Sequence, residues 1–187
     1  MIRSIIFTIL FFYSLGLNAD VDVPEGFKLQ KLEATDGSIA IPEGWYYQEG
    51  STNSGIIWTI SKEDPKEGYE TGQRIQMLFG VEKGTKKSKK DFVDSFIQNK
   101  RKISKIVKDC TTTDLGMFYR TCLEVVEPPS EGGVKKEYHI LYSLFWAKEM
   151  DLVVLVTFGA PEEEWAAVES IANTMTVIEL IGPNLGK

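Results

Sequence analysis

One histidine, two cysteines and the lack of any apolar run of membrane-spanning length past residue 20 set the first limits on this 187-residue chain. With His139 as the sole histidine, a multi-histidine metal centre is impossible within one chain. Glu137 and His139 stand at i and i+2, a spacing two ligands can use, but no third ligand is identifiable where zinc takes three or four. Cross-strand pairing is the plainer role for both. A Ser-His-acid device would also need His139. Ser143 shares its strand face, yet four strand residues span about 13 Å, against the roughly 3 Å that proton transfer requires. Neither a Gly-x-Ser-x-Gly elbow nor a Ser-x-x-Lys pair occurs. A phosphate-cradling loop and a dinucleotide fingerprint are missing too, so no cofactor is expected. The reading is of a non-enzymatic protein.

What is present begins with an export signal. Residues 1–19 carry Arg3, an apolar stretch from Ile5 to Tyr13, and the ending Leu17-Asn18-Ala19. This is the charged, apolar and small-residue order of a signal peptide, and the stretch is well short of the ~20 residues of a spanning helix. Cleavage after Ala19 would leave 20–187, with Asp rather than Cys at position 20 and hence no lipid anchor. The expectation is one soluble domain, periplasmic or secreted, with no membrane span once the leader is gone. A chain 43% hydrophobic and 26% charged supports a globular core rather than disorder.

Two cysteines in an exported chain suggest one disulfide. Cys110 and Cys122 lie six residues either side of Gly116, and Asp114-Leu115-Gly116 reads as a turn, so a hairpin would set the thiols opposite each other. Closing such a loop contributes roughly 3 kcal/mol in the chain-entropy model. Two reduced, buried thiols are the alternative. Cys-x-x-Cys redox spacing is absent.

After the acidic stretch Asp20–Glu25, strands are expected at Phe27–Leu32, Ser38–Ile41, from Trp45, and at Ile56–Ile60, where residues alternate with period two. Ser61–Gly72 reads as a loop. Arg74–Val81 places Ile75, Met77, Phe79 and Val81 on one face. Ser88 with Asp91 three residues on opens a helix, whose stripe is Phe92, Val93, Phe96 and Ile97. Strands follow at Ser104–Cys110, Met117–Val126, Lys135–Ala147 and Leu152–Phe158, with a turn at Pro128–Gly133. Pro161 opens a last helix, with Glu162, Glu163 and Glu164 suited to the helix dipole and Trp165, Val168, Ile171, Ala172 and Met175 facing inward. The fold class is α+β: a mostly antiparallel sheet covered by two amphipathic helices.

Three segments together carry a family resemblance. Ile41-Pro42-Glu43-Gly44-Trp45 follows an early strand, a middle helix opens at Ser88 and carries Phe92 and Phe96, and Thr157-Phe158-Gly159-Ala160-Pro161 leads into the terminal helix. In order and spacing, over Leu32–Leu180, the chain resembles the PsbP family of α/β/α sandwiches, a fold shared with nuclear Ran-binding Mog proteins and DcrB-like exported bacterial proteins. The resemblance implies a non-catalytic accessory or partner-binding domain. It carries over no binding residue.

Charge is the feature that stands above background. Lys83, Lys86, Lys87, Lys89, Lys90, Lys100, Arg101, Lys102, Lys105 and Lys108 face only Asp91 and Asp94 across 83–108, a local charge of +8. The remainder of 20–187 is strongly acidic. Charge runs are commonly solvated faces; the functional alternative is a surface that docks an acidic protein or an envelope polyanion. Nucleic acid is not expected, because no basic stripe with interleaved exposed aromatics occurs. The acidic loop with Glu63, Asp64, Glu67 and Glu70 lacks the calcium-loop pattern. Tyr46, Tyr47 and Tyr69, next to loops, are candidates for exposed contacts. The competing reading is a small-molecule binder, or a hydrolase of unrecognised type, with a cleft between sheet and helix.

Overall fold

The computed structural model describes residues 23–129, 135–175 and 178–180. The leader expected at 1–19 lies outside them, as does most of the Pro128–Gly133 turn. Strand β1 (Phe27–Leu32) and β2 (Gly37–Pro42) form a hairpin, followed by β3 (Tyr46–Thr52), β4 (Gly55–Ser61) and β5 (Gly72–Phe79). A short helix α1 (Val81–Thr85) and the long α2 (Lys89–Ile103) come next. Then β6 (Lys105–Asp109), β7 (Thr113–Asp114), β8 (Phe118–Glu127), β9 (Tyr138–Ala147) and β10 (Leu152–Pro161) lead through a 3-10 turn (Glu162–Glu164) into α3 (Trp165–Thr174) and β11 (Ile178–Glu179).

Eight strands form one sheet in the order β3-β4-β5-β10-β9-β8-β6, with β7 also pairing β8; every neighbour is antiparallel. A second sheet, β1-β2-β11, is separate. Side chains alternate across a strand, so the large sheet feeds two cores. Trp58, Ile60, Ile75, Met77, Val154, Val156 and Phe158 pack against Leu32, Ile39 and Ile41 of the small sheet, Trp165, Val168 and Ala172 of α3, and Met175 just after it. On the opposite face Leu123, Val125, Leu144, Val153 and Leu155 meet Val93 and Ile97 of α2. The result is an α+β sandwich built on a mostly antiparallel sheet.

Two segments of the resemblance meet in the first core. Gly44 turns the chain at φ 81°, a conformation glycine adopts without steric penalty. Trp45 then stacks on Phe158 with ring centroids 6.3 Å apart. Phe158 meets Trp165 edge-on at 6.0 Å.

Three expectations need correction. Val81 is not in the strand with Ile75 and Met77, because Gly80 turns left-handed at φ 69° and Val81 begins α1. Phe79, placed on one face with Ile75 and Met77, is not enclosed as they are and stands 49% exposed at the strand's end. Pro161 ends β10 instead of opening a helix, and the glutamates after it form the 3-10 turn. The second sheet was not foreseen. Cys110 and Cys122 are joined, with Cα atoms 5.0 Å apart, and the Cys110 N–H donates to the Cys122 carbonyl at 3.1 Å.

Asp151, at the turn between β9 and β10, holds α1 in place. Its Oδ1 accepts the Glu82 N–H at 2.9 Å and its Oδ2 the Lys83 N–H at 3.2 Å. The backbone hydrogen bond from Glu82, with that from Lys83, keeps its carboxyl below the usual carboxylate range. A depressed native value means stabilisation that is whole above the ordinary pKa and lost as pH falls through the native one. Asp151→Asn should therefore unfold more easily than wild type at neutral pH. The gap should close on acidification below about pH 4, near the unfolded value. Thermal midpoints measured from pH 7 to pH 2 test this; a gap that persists at the acid end rejects it.

Candidate functional site

The basic segment is organised by α2. Ser88 caps it, its Oγ accepting the Asp91 N–H at 3.1 Å and donating to the Asp91 carboxylate at 2.7 Å. Val93 and Ile97 are buried against the sheet, while Lys90, Asp91, Gln98, Asn99 and Lys102 are exposed. Four of the ten cations are committed to the fold. Lys89 is 9% exposed, and its Nζ donates to the Met150 carbonyl at 2.7 Å and to that of Lys148 at 3.4 Å, tying α2 to the β9–β10 turn. Lys90 pairs with Asp94 one turn along. Lys100 contacts Glu127 at 2.7 Å and lies 5.0 Å over the Tyr142 ring. Tyr142 donates to the same carboxylate at 2.6 Å. Burial, then Glu127, pushes the Tyr142 hydroxyl well above its usual range. Arg101 forks onto Asp109 through Nε at 3.0 Å and Nη2 at 2.7 Å.

Six cations remain. Lys83, Lys86, Lys87, Lys102, Lys105 and Lys108 are exposed and make no ion pair among the described residues. They fall into two groups at opposite ends of α2, whose 15 residues span about 22 Å. Between them the outer face of α2 forms a shallow hollow of about 420 Å³, with Lys87 and Lys102 at its ends and Asp91 and Asp94 among its walls. The sequence suggested one basic surface. The structure holds two basic patches.

The acidic loop and Tyr47 are used internally. Glu63 accepts the Glu70 and Thr71 N–H groups at 3.2 and 3.1 Å, closing the acidic loop. Tyr47 is half-buried and donates to Glu49 at 2.6 Å, and Tyr69 is half-buried as well. Tyr46 is 46% exposed. A hollow of about 660 Å³ lies between the β3–β4 turn and α1, lined by Ser51, Asn53, Ser54, Phe79 and Lys83 among others. Lys83 is its single titratable side chain, which gives no acid–base pair for hydrolysis.

His139 has a constellation that sequence reasoning missed. The ring is 5% exposed and stacks on Trp165 at 3.9 Å with planes 2° apart. Glu162 lies 2.8 Å from Nδ1 and Glu124 2.8 Å from Nε2. A doubly protonated ring donates to both carboxylates and a neutral ring to only one. The group fastens the 3-10 turn to β8 and β9. No set of three or more His, Cys, Asp or Glu side chains among the described residues is placed to hold a metal ion. Glu124 stands diagonally across the β8–β9 ladder from His139. The register supplies that partner, and no short motif announces it.

The layers around this site make the protein an α+β sandwich, with a mostly antiparallel sheet covered on both faces. Neither a protein-family model nor a curated protein sequence matches the chain. Among solved structures, the Saccharomyces cerevisiae Ran-binding protein Mog1p is 13% identical with a TM-score of 0.50, covering 83% of this chain and 95% of that one. Cyanobacterial PsbP from Synechocystis is 12% identical with a TM-score of 0.48, over 89% and 98% of the two chains. LpqN of Mycobacterium tuberculosis, involved in cell envelope biogenesis, is 13% identical with a TM-score of 0.47, over 83% and 92%. At this identity the likeness is one of fold.

Stability separates the committed from the free cations. Lys89→Gln should lower stability by about 1–3 kcal/mol, by removing donors from two carbonyls and burying an amide in their place. Lys83→Gln, Lys86→Gln and Lys105→Gln should each stay within about 0.5 kcal/mol of wild type. Urea denaturation of the four variants reads this directly, and equal losses throughout would mean that the free lysines are also structural.

Proposed function

We propose that this chain is an exported, soluble, non-enzymatic accessory module that docks an acidic protein through the exposed lysines of 83–108. The observation that carries the reading is the set of six exposed ammonium groups without ion pairs among the described residues, on a domain whose remaining charge is strongly negative. Such opposed fields draw an acidic partner to one side of the molecule and repel it from the other. The module is one domain over 20–187, released by cleavage after Ala19. The Cys110–Cys122 bond fits an oxidising compartment. No helix among the described residues is long and apolar enough to cross a membrane. Mog1p, with the same fold, is a Ran-binding protein.

An acidic protein is favoured over a polyanion because the basic groups are separated by Asp91 and Asp94. A uniform polyanion gains most from an unbroken basic surface. The test uses the mature protein as bait in the extracytoplasmic fraction of the source cells. Beside it stand two variants, Lys83/Lys86/Lys87→Gln and Lys102/Lys105/Lys108→Gln. Wild type should recover an acidic protein that elutes as salt shortens the screening length toward about 3 Å near 1 M, and at least one variant should lose it. Recovery of a polysaccharide or other polyanion reassigns the partner. A protein recovered equally by all three baits ends the docking model.

A further inference from the structure

β6 ends the large sheet, and no described strand pairs with its outer side. All five of its residues are exposed. Ile103, Ile106, Val107, Leu115 and Met117, between 46% and 70% exposed, are five of the nine large apolar side chains that stand exposed among the described residues. All five lie on β6, just before it, or at the β7–β8 turn beside it.

A β-bulge arranges the charges on this edge. The pairing runs Lys105 to Val126 and Ile106 to Val125, then shifts so that Lys108 meets Glu124 and Asp109 meets Leu123. Val126 and Glu124 are two apart on β8 and share a face. The bulge therefore puts Lys105 and Lys108 on one face, although three residues of sequence would otherwise set them on opposite faces. Ile106 and Asp109 take the other face, where Asp109 holds Arg101 of α2. One face of the edge is cationic and the other carries an apolar residue.

We infer that the β6 edge is a strand-addition site, which takes an extended acidic segment of a partner protein whose acidic and apolar residues alternate. The inference rests on the docking reading above and gives it a geometry: backbone pairing with β6, carboxylates over Lys105 and Lys108, and apolar side chains against Ile106. Lysines on an edge also serve simply to discourage pairing. That role is answered by polar edge residues throughout, whereas here Ile106 and Val107 stand exposed between the lysines. The same lysines disfavour a second copy of this edge, since an antiparallel pairing of two such strands sets like charges against each other. Asp20-Val21-Asp22-Val23 of a second copy has the right alternation. It is cut short by Pro24, which lacks an N–H to continue a ladder.

The test uses a fluorescent, end-blocked octapeptide of alternating Glu and Val. Its controls are a Glu-Glu-Val-Val repeat of the same composition, and the alternating peptide N-methylated along one edge. Strand addition predicts that the alternating peptide binds, that both controls lose most of that binding, and that bound peptide slows amide exchange within 105–109. Lys105→Gln/Lys108→Gln should weaken binding about fivefold, the sum of two exposed ion pairs. Equal binding by all three peptides, abolished by the lysine variant, overturns strand addition and leaves charge docking standing. No binding by the alternating peptide overturns the inference outright, while partner capture decides the docking reading separately. Concentration-dependent self-association that a peptide of residues 20–25 inhibits overturns it in favour of a second copy.

Discussion

Strand β10 is buried on both faces, and the rest of the molecule is arranged around that fact. Its hydrogen bonds go to β5 on one side and β9 on the other. Its side chains divide by parity: Leu152, Val154, Val156, Phe158 and Ala160 enter one core, and Val153 and Leu155 enter the other. Each large side chain of this kind contributes about 1.5–3 kcal/mol when fully buried. A strand of this composition left bare on either face would forfeit half of that gain. One side must be covered by α2 and the other by α3 with the small sheet, and this requirement makes the fold a sandwich rather than an open sheet.

Polar groups then fix where the covering layers sit, because apolar packing has no preferred direction. Lys89 fastens the start of α2 to the β9–β10 turn, and Lys100 with Glu127 and Tyr142 fastens its end to β8 and β9. Asp151 positions α1 from the same β9–β10 turn. On the opposite face, Glu124 and Glu162 hold His139 beneath Trp165 at the entry to α3. These attachments consume specific charges from both ends of the basic segment. What remains exposed is the portion that the fold does not use.

Local patterns made much of the fold legible. Phe27–Leu32 stands as read, the Ser88 cap is formed, and the cysteines face each other about the Gly116 turn. Each of these depends on residues near one another in sequence. The misreadings have the opposite character. Apolar alternation ran through Gly80, and only the left-handed turn that Asp151 supports from across the sheet ends β5 there. Lys89 looks like any other lysine of the run, since its acceptors lie about sixty residues away. Glu162 has a sufficient local explanation in the dipole of the helix that follows, which hid its contact with His139. The bulge in β6 changes which residues share a face and leaves no mark in composition.

The separation of the two lysine groups limits how a partner can be held. At physiological salt the screening length is about 8 Å, well under the roughly 22 Å length of α2, so the patches act as independent attractors. The group at Lys83, Lys86 and Lys87 adjoins α1 and the hollow beside the β3–β4 turn, where Lys83 stands with the exposed Phe79. The group at Lys102, Lys105 and Lys108 adjoins exposed apolar side chains and a strand edge that no described strand pairs. In the proposed docking, long-range charge would bring an acidic partner to either patch, but exposed ion pairs alone would hold it weakly. Short-range packing and backbone hydrogen bonds must supply the rest, and the β6 edge offers both, beside a disulfide that ties its end to β8. The edge, rather than the outer face of α2, is where attraction can become a register.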